Sequence, residues 1–143
     1  MSKKNLALQN LISTIENISS PRIGKVSNKP VDFSKLAKTA YPFIQIEVQN
    51  EDREDITMSH RLCTMYVGVT AHIKAESKGI EANSTLNELH AAIERALEVD
   101  RTRGKVALLT ELREVNDVIE GNFPLVSQTY VYVIQYYHDR GNN

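Results

Sequence analysis

The sequence is poor in the features that mark secreted and membrane proteins. Its one cysteine, Cys63, cannot form an internal disulfide, which favours a reducing compartment, and its apolar surroundings predict a buried thiol. No run of about 18 consecutive apolar residues occurs, so we predict no membrane span and no membrane partner. Gln9, Asn10 and Glu16 interrupt the apolar residues of the N-terminal region, and we therefore expect no export signal.

An excess of either charge is also lacking. Lysine and arginine number 17 against 18 acidic residues, which gives a formal net charge of -1. A dedicated nucleic-acid-binding domain would carry a basic excess, so we expect weak non-specific affinity for DNA. The contents of hydrophobic residues (41%) and charged residues (24%) are those of an ordinary globular protein. A length of 143 residues fits one domain, 1–143, with one core.

Residues of the common catalytic and cofactor-binding motifs are not clustered. His60 and His72 lie too far apart on one predicted strand to share a metal ion, and no Cys or His pair has zinc-site spacing. The six glycines are dispersed, which excludes a phosphate-binding loop. Ser77, Ser84 and Ser127 lack the setting of a nucleophile. We therefore predict no catalytic residue, no cofactor and no metal, and a protein that is not an enzyme.

Apolar periodicity predicts two amphipathic helices. The first covers 1–18, where apolar residues recur at spacings of three and four. The second runs from Thr85 to about Val99, with His90 on its polar side. The segment 19–41 between the first helix and the sheet is rich in turn-forming residues, and we expect a long, exposed connection of functional importance.

Alternation of apolar and polar residues predicts four strands. They cover Phe43–Val48, Cys63–Ile73, about Leu109–Ile119 with a bulge, and Leu125–Tyr137 after a hairpin connection at 121–124. The region 42–138 thus holds the sheet and the second helix, and 139–143 forms a polar tail. The predicted fold is α+β: a two-layer domain with a mostly antiparallel four-stranded sheet and two helices packed on one face.

The last predicted strand is apolar on both faces. Such a strand is either covered on both sides or contributes one face to a subunit contact. Its tyrosines suit an interface, and core packing is the alternative explanation. Stacking on single-stranded nucleic acid would need basic residues between the tyrosines, and this strand lacks them. The candidate subunit-interface residues are Tyr130, Val131, Tyr132, Val133, Tyr136 and Tyr137.

A run of charged residues follows the first strand. It consists of Glu51, Asp52, Arg53, Glu54 and Asp55, and we predict a solvated loop between two strands. One alternative is a divalent-cation site, because such ions prefer several carboxylate oxygens. Another is a channel-lining or tube-facing loop in a ring, where negative charge would let DNA pass without adhering.

Four segments resemble the bacteriophage tail terminator family. They are YPFIQIEV at 41–48 with an acidic pair soon after, MYVGVTAHI at 65–73, LNELHAAIERAL at 86–97 and TYVYVIQY at 129–136. The resemblance extends from the first helix to about Tyr137, and it consists of an order of elements and apolar positions, without a chemical signature.

Membership of that family would imply a homohexameric ring that caps the tail tube, ends its polymerisation and joins the tail to the neck. The implied partners are further copies of the chain, the tail tube protein, a neck or connector protein and, in a contractile tail, the sheath protein. DNA would be present only in transit. Assembly would occur in the host cytoplasm, and the destination would be the tail–neck junction of the virion. A closed ring needs two different complementary patches on each subunit, for which the last strand and the segment 19–40 are the candidates.

Three other functions stay open on the sequence alone. The chain could be another head–tail connector or neck subunit. It could be a small-ligand enzyme whose site gathers scattered residues such as Glu47, Tyr66 and His72, which would require a concave pocket. It could also be a bacterial interaction domain of the same fold that stays monomeric or dimeric.

Overall fold

The computed structural model describes residues 2–32, 35–58, 60–74, 80–119 and 125–139. In chain order the elements are α1 (Lys3–Glu16), β1 (Lys25–Ser27), a short 3-10 helix (Lys38–Ala40), β2 (Phe43–Asp55), β3 (His60–Lys74), α2 (Ile80–Val99), β4 (Leu109–Val115) and β5 (Leu125–Asp139). Within these residues, no helix is long and apolar enough to cross a membrane.

The sheet has five strands in the order β1-β2-β3-β5-β4. Strand β1 is parallel to β2, and the other neighbours are antiparallel. The α+β class and the four predicted strands are confirmed, but the sheet is mixed because β1 adds a parallel strand within 19–41. That segment is therefore more than an exposed connection. A strand of three residues is too short to produce a detectable alternation in the sequence.

The two longest strands form the centre of the sheet. Their register pairs every residue from His60 with Asp139 to Lys74 with Leu125. This register places the odd-numbered residues of β3 and the even-numbered residues of β5 on one face. Cys63 is fully buried on that face, as predicted.

Both helices bury their apolar stripes against this same face, so the two-layer arrangement is confirmed. Helix α1 covers Lys3–Glu16 within the predicted 1–18, and the Ser2 side chain before it accepts a hydrogen bond from the Asn5 amide at 3.2 Å. Helix α2 begins at Ile80, earlier than the predicted Thr85. The helical members of the core are Ala7, Leu11 and Ile15 from α1 and Leu86, Leu89, Ile93 and Leu97 from α2.

Strand β4 has the predicted bulge, which interrupts its register with β5 between Leu112 and Glu114. The strand ends at Val115, and Ile119 then forms an isolated bridge with Ser127. The predicted hairpin connection at 121–124 and the tail residues 140–143 lie outside the described residues.

The residues just before β1 and those just before β2 are joined by backbone and side-chain contacts. The Gly24 amide donates to the Pro42 carbonyl at 2.8 Å, and a Cβ on Gly24 would lie 2.4 Å from the carbonyl carbon of Ala40. Only glycine permits this close backbone approach. The Arg22 guanidinium donates to the Tyr41 carbonyl at 3.3 Å. These contacts hold β1 against β2.

A buried arginine closes the turn after α2. Arg103 is 1% exposed, and its guanidinium donates to the carbonyls of Leu97 (2.6 Å) and Asp100. It also donates to the hydroxyls of Thr110 on β4 (3.1 Å) and Thr14 on α1 (3.5 Å). The last carbonyls of a helix lack partners within the helix and carry partial negative charge, so a cation is favourable there. Arg103 thereby joins α1, α2 and β4.

The backbone of this turn is held by the carboxylate of Asp100. One oxygen accepts hydrogen bonds from the amide and hydroxyl of Thr102, and the other accepts from the Gly104 amide at 2.8 Å. These hydrogen bonds, with a smaller contribution from the nearby Arg103 charge, lower the pKa of Asp100 to about 2. Arg103 (φ 52°), Gly104 (φ 71°) and Lys105 (φ 69°) all have left-handed backbone conformations.

We expect Arg103→Ala to lower the free energy of unfolding by about 2–4 kcal/mol, because the helix-end carbonyls would stay buried without donors. Lys105→Ala is the matched control, since Lys105 has the same left-handed backbone but an exposed side chain, and its effect should stay within about 0.5 kcal/mol. Urea unfolding of both variants measures the difference. Equal losses would show that backbone conformation, and not the guanidinium, matters at this turn.

Candidate interaction surface

Both helices pack on one face of the sheet, which leaves the opposite face without a helix among the described residues. We call it the outer face. It carries the side chains that alternate with those of the core, and the fully buried Phe43 is one of them. The others include Gln45 and Glu47 of β2, Thr64, Tyr66, Gly68, Thr70 and His72 of β3, Glu111 of β4, and Thr129, Val131, Val133, Gln135 and Tyr137 of β5.

Side-chain hydrogen bonds between strands satisfy much of the polar surface of the outer face. The hydroxyls of Thr70 and Thr129 lie 2.9 Å apart, and the Gln135 amide donates to the Thr64 hydroxyl at 3.2 Å. Such cross-strand pairs stabilise the register between β3 and β5. They also leave fewer free polar groups for a catalytic site or for ligand recognition.

The centre of the outer face is apolar. Val131 is 6% exposed and Val133 is half-buried. The Arg113 guanidinium lies 5.6 Å from the centre of the Tyr66 ring, and Gln49 covers Gly68. An apolar centre surrounded by polar and arginine side chains is the arrangement found at many protein interfaces.

The predicted interface residues of β5 divide between the two faces of the sheet. Val131, Val133 and Tyr137 lie on the outer face, where Tyr137 is 41% exposed. Tyr130, Tyr132 and Tyr136 instead point between the sheet and the helices and are at most 2% exposed. The structure therefore corrects their assignment to an exposed contact surface, because the rings of these three tyrosines pack in the core, and of the three only Tyr132 also lines a described cavity.

His90 also differs from its predicted position on the polar side of α2. Its ring is half-buried and stacks on Tyr130, with 4.4 Å between ring centres and 19° between planes. Its Nε2 atom lies 3.5 Å from the Glu94 carboxylate. The buried side of α2 is therefore wider than its aliphatic residues alone indicate, because it includes the His90 ring.

The acidic segment is not a loop, which corrects the prediction. Residues 51–55 form the second half of β2 and pair with Arg61–Met65 of β3. A register shift between Val48 and Asn50 changes which residues face the helices, so Glu51 points to the helix side. Alternation of apolar residues cannot identify this half of the strand, because charged side chains occupy both of its faces.

Glu51 is the centre of a small polar network. Its carboxylate accepts a hydrogen bond from the Tyr136 hydroxyl and lies 3.4 Å from Lys4 and 3.5 Å from Arg53. Burial would raise the pKa of Glu51, but the Tyr136 hydrogen bond and the two cations outweigh it and hold the pKa below the usual 4.5. The network fastens the start of α1 to the sheet.

The other acidic residues of the segment face solvent. Asp52 and Glu54 are exposed, and Asp55 forms an ion pair with Arg61 at 2.9 Å. The described residues contain no group of three or more His, Cys, Asp or Glu side chains arranged to hold a metal ion. The geometry therefore gives no support to the divalent-cation alternative for this segment.

The residues of the enzyme hypothesis share the outer face but not a pocket. Tyr66 and His72 are six positions apart on β3, or about 20 Å, and Glu47 is opposite Gly68 between them. Of these three, only Glu47 lines one of the described cavities. Burial lowers the pKa of His72, whose ring lies 3.3 Å from the Gln45 side chain.

Comparison with known proteins adds no family, since the chain matches no protein-family model and no curated protein.

We expect Glu51→Gln to lower the free energy of unfolding at pH 7 by about 1 kcal/mol, because a charge-assisted network becomes neutral. The pKa of Glu51 is lower in the folded state, so its stabilisation is present above pH 4.5 and is lost as the pH falls through the folded value. Unfolding of wild type and variant should thus converge in acid. Asp52→Asn, at an exposed position of the same strand, is the control, and a gap between wild type and Glu51→Gln that persists at low pH would contradict the assignment.

Proposed function

We propose that this chain is a tail terminator subunit of a bacteriophage, which forms a ring on the end of the tail tube, stops tube polymerisation and joins the tail to the neck. The observation that carries the proposal is the one-sided sheet. Both helices lie on one face, and the outer face carries the half-buried Val133 and the 41% exposed Tyr137 beside the buried Val131. The order of elements also agrees with the layout that the sequence resemblance implies.

A terminator needs surfaces for several partners, and this fold supplies them without a catalytic centre. The accessible apolar residues of the outer face, Val133 and Tyr137, are suited to contact another subunit, the tube or the neck, whereas Val131 is buried. The β2–β3 hairpin offers a second surface, because Ile56 and Met58 at its end are 49% and 93% exposed. This hairpin end, together with the acidic half of β2, is our candidate for the tube-facing or channel-lining part.

Negative charge on that hairpin suits the passage of DNA. Asp52 and Glu54 are exposed, and a channel lined by carboxylates repels phosphate groups. DNA would therefore pass through the ring without binding to it. The proposal assigns no catalytic residue and no cofactor, and it locates the chain at the tail–neck junction of a virion assembled in the host cytoplasm.

We expect native mass spectrometry across a concentration series to show a species of about 97 kDa, six times the 16.2 kDa subunit. Added to polymerising tail-tube subunits of its phage, the protein should shorten the tubes and form a ring at one end in electron micrographs. A dimer that persists at every concentration, or tubes of unchanged length without terminal rings, would contradict the proposal. A ring found only at the capsid end of the neck would instead identify a connector subunit.

A further inference from the structure

The two edges of the sheet differ in charge. At one edge, β4 has no described strand on its outer side, and helix α2 runs beside it. We call this region the acidic edge. Its exposed or half-exposed acidic residues are Glu94, Glu98, Glu111 and Glu114. Of the nearby cations, Arg101 donates to the Thr110 carbonyl at 3.3 Å and Arg113 lies over the Tyr66 ring.

At the opposite edge lies β1, with the residues that flank it. We call this region the basic edge. In the segment 22–35 it carries four exposed cations, Arg22, Lys25, Lys29 and Lys35, and one acidic residue, Asp32, while the exposed Glu47 of β2 lines the same cavity as Lys29. Further along the same side, the carboxylates of Glu51 and Asp55 are already paired with cations. The positive charge is therefore concentrated around β1.

The acidic edge contains a cavity of about 290 Å³ between α2 and β4. Three glutamates, Glu94, Glu98 and Glu111, and one cation, Arg101, contribute to its lining, and Tyr132 lies at its wall. Tyr132 is 2% exposed, and its hydroxyl has no hydrogen-bond partner among the described residues. A buried hydroxyl without a partner costs free energy, and such a group calls for an explanation.

The protonation state of Tyr132 defines what the cavity can accept. Burial, with a contribution from the negative charges of Glu94 and Glu98, raises the pKa of Tyr132 well above its usual value of 10. A tyrosine hydroxyl is neutral at physiological pH even without this shift, and its oxygen can accept a hydrogen bond. A cation with N–H donors in the cavity would be attracted by these carboxylates, and it would donate to the buried hydroxyl once neighbouring side chains shift to expose that oxygen.

We propose that the acidic edge of one copy binds the basic edge of a second copy, with a lysine side chain of the basic edge in the cavity beside Tyr132. The inference rests on the proposed ring and specifies the surfaces that close it. Opposite charges on opposite edges favour a head-to-tail contact, which generates rings when the rotation closes. A symmetric contact would bring like charges together and is disfavoured. The outer face is then left for the tube or the neck.

Charge reversal on each edge provides the test. The first variant carries Glu94→Lys, Glu98→Lys and Glu111→Lys, and the second carries Lys25→Glu and Lys29→Glu. Each variant alone has two edges of the same sign and should stay monomeric in native mass spectrometry. An equimolar mixture should restore the six-subunit species with three copies of each variant, because both kinds of contact are again complementary. Glu88→Lys, at an exposed position of α2 outside the cavity, should assemble like wild type.

A second measurement tests the cavity itself. Tyr132→Phe removes the unpartnered hydroxyl, so the monomer should unfold at the same or a higher denaturant concentration, while association should weaken about tenfold. Association of the wild-type chain should also weaken at least about tenfold between low and high salt.

Hexamers formed by either charge-reversal variant alone, or a mixture that stays monomeric while wild type assembles, would overturn the inference and leave the proposed function standing. A wild-type chain that is monomeric at every concentration would also overturn it. The tube-capping experiment tests the proposed function separately.

Tyr132→Phe with unchanged association would show that the hydroxyl does not contact the second copy. Filling of the cavity by a free polyamine such as spermidine, without any effect on assembly, would identify a small-ligand site instead.

Discussion

The uninterrupted antiparallel register between β3 and β5 is the constraint on which the rest of the molecule depends. It decides which side chains meet the helices and which form the outer face. A shift by one residue would move Tyr130, Tyr132 and Tyr136 out of the core and bring Val131 and Val133 into their place. The helices, the Glu51 network and the cavity at the acidic edge all use side chains whose direction this register fixes.

The register acts together with the buried Arg103. By donating to the end of α2 and to Thr110 of β4, the guanidinium holds the helix beside the edge strand. The cavity with Tyr132 lies between these same two elements. Its shape therefore depends on a turn that is distant from the proposed contact with a second copy, and the cost of burying a cation is offset by several carbonyl and hydroxyl acceptors.

Strong periodicity made most of the fold predictable. The alternation in β3 and the stripes of α1 and α2 identify these elements because each buries one side, and the imperfect pattern of β4 reflects a real bulge. Strand β5 was harder, because both of its faces are apolar, and the sequence alone does not show which face meets the helices. The short β1 depends on contacts of Gly24 with the segment before β2, which leave no periodic pattern.

The candidate surfaces were less predictable, for a physical reason. Charged residues such as Glu51 and Arg103 resemble solvated residues in a sequence, and their burial depends on partners far along the chain, Tyr136 and Thr14 among them. The charge difference between the sheet edges likewise requires the strand order. Knowing which strands are outermost is what brings the lysines near β1 and the glutamates of α2 and β4 to opposite sides.

The central pairing also has a consequence for how the chain folds. Every partner pair of β3 and β5 is at least 51 positions apart in the sequence, and α2 and β4 lie between the two strands. Non-local pairing of this kind slows folding, because the entropy of closing a long loop is lost before the contacts compensate for it. The β2–β3 hairpin can form from local contacts, but the backbone groups of β3 that pair with β5 stay unpaired until β5 has folded onto the sheet. During that interval β3 is an unprotected edge, so this sheet is most vulnerable to aggregation before its last strand is in place.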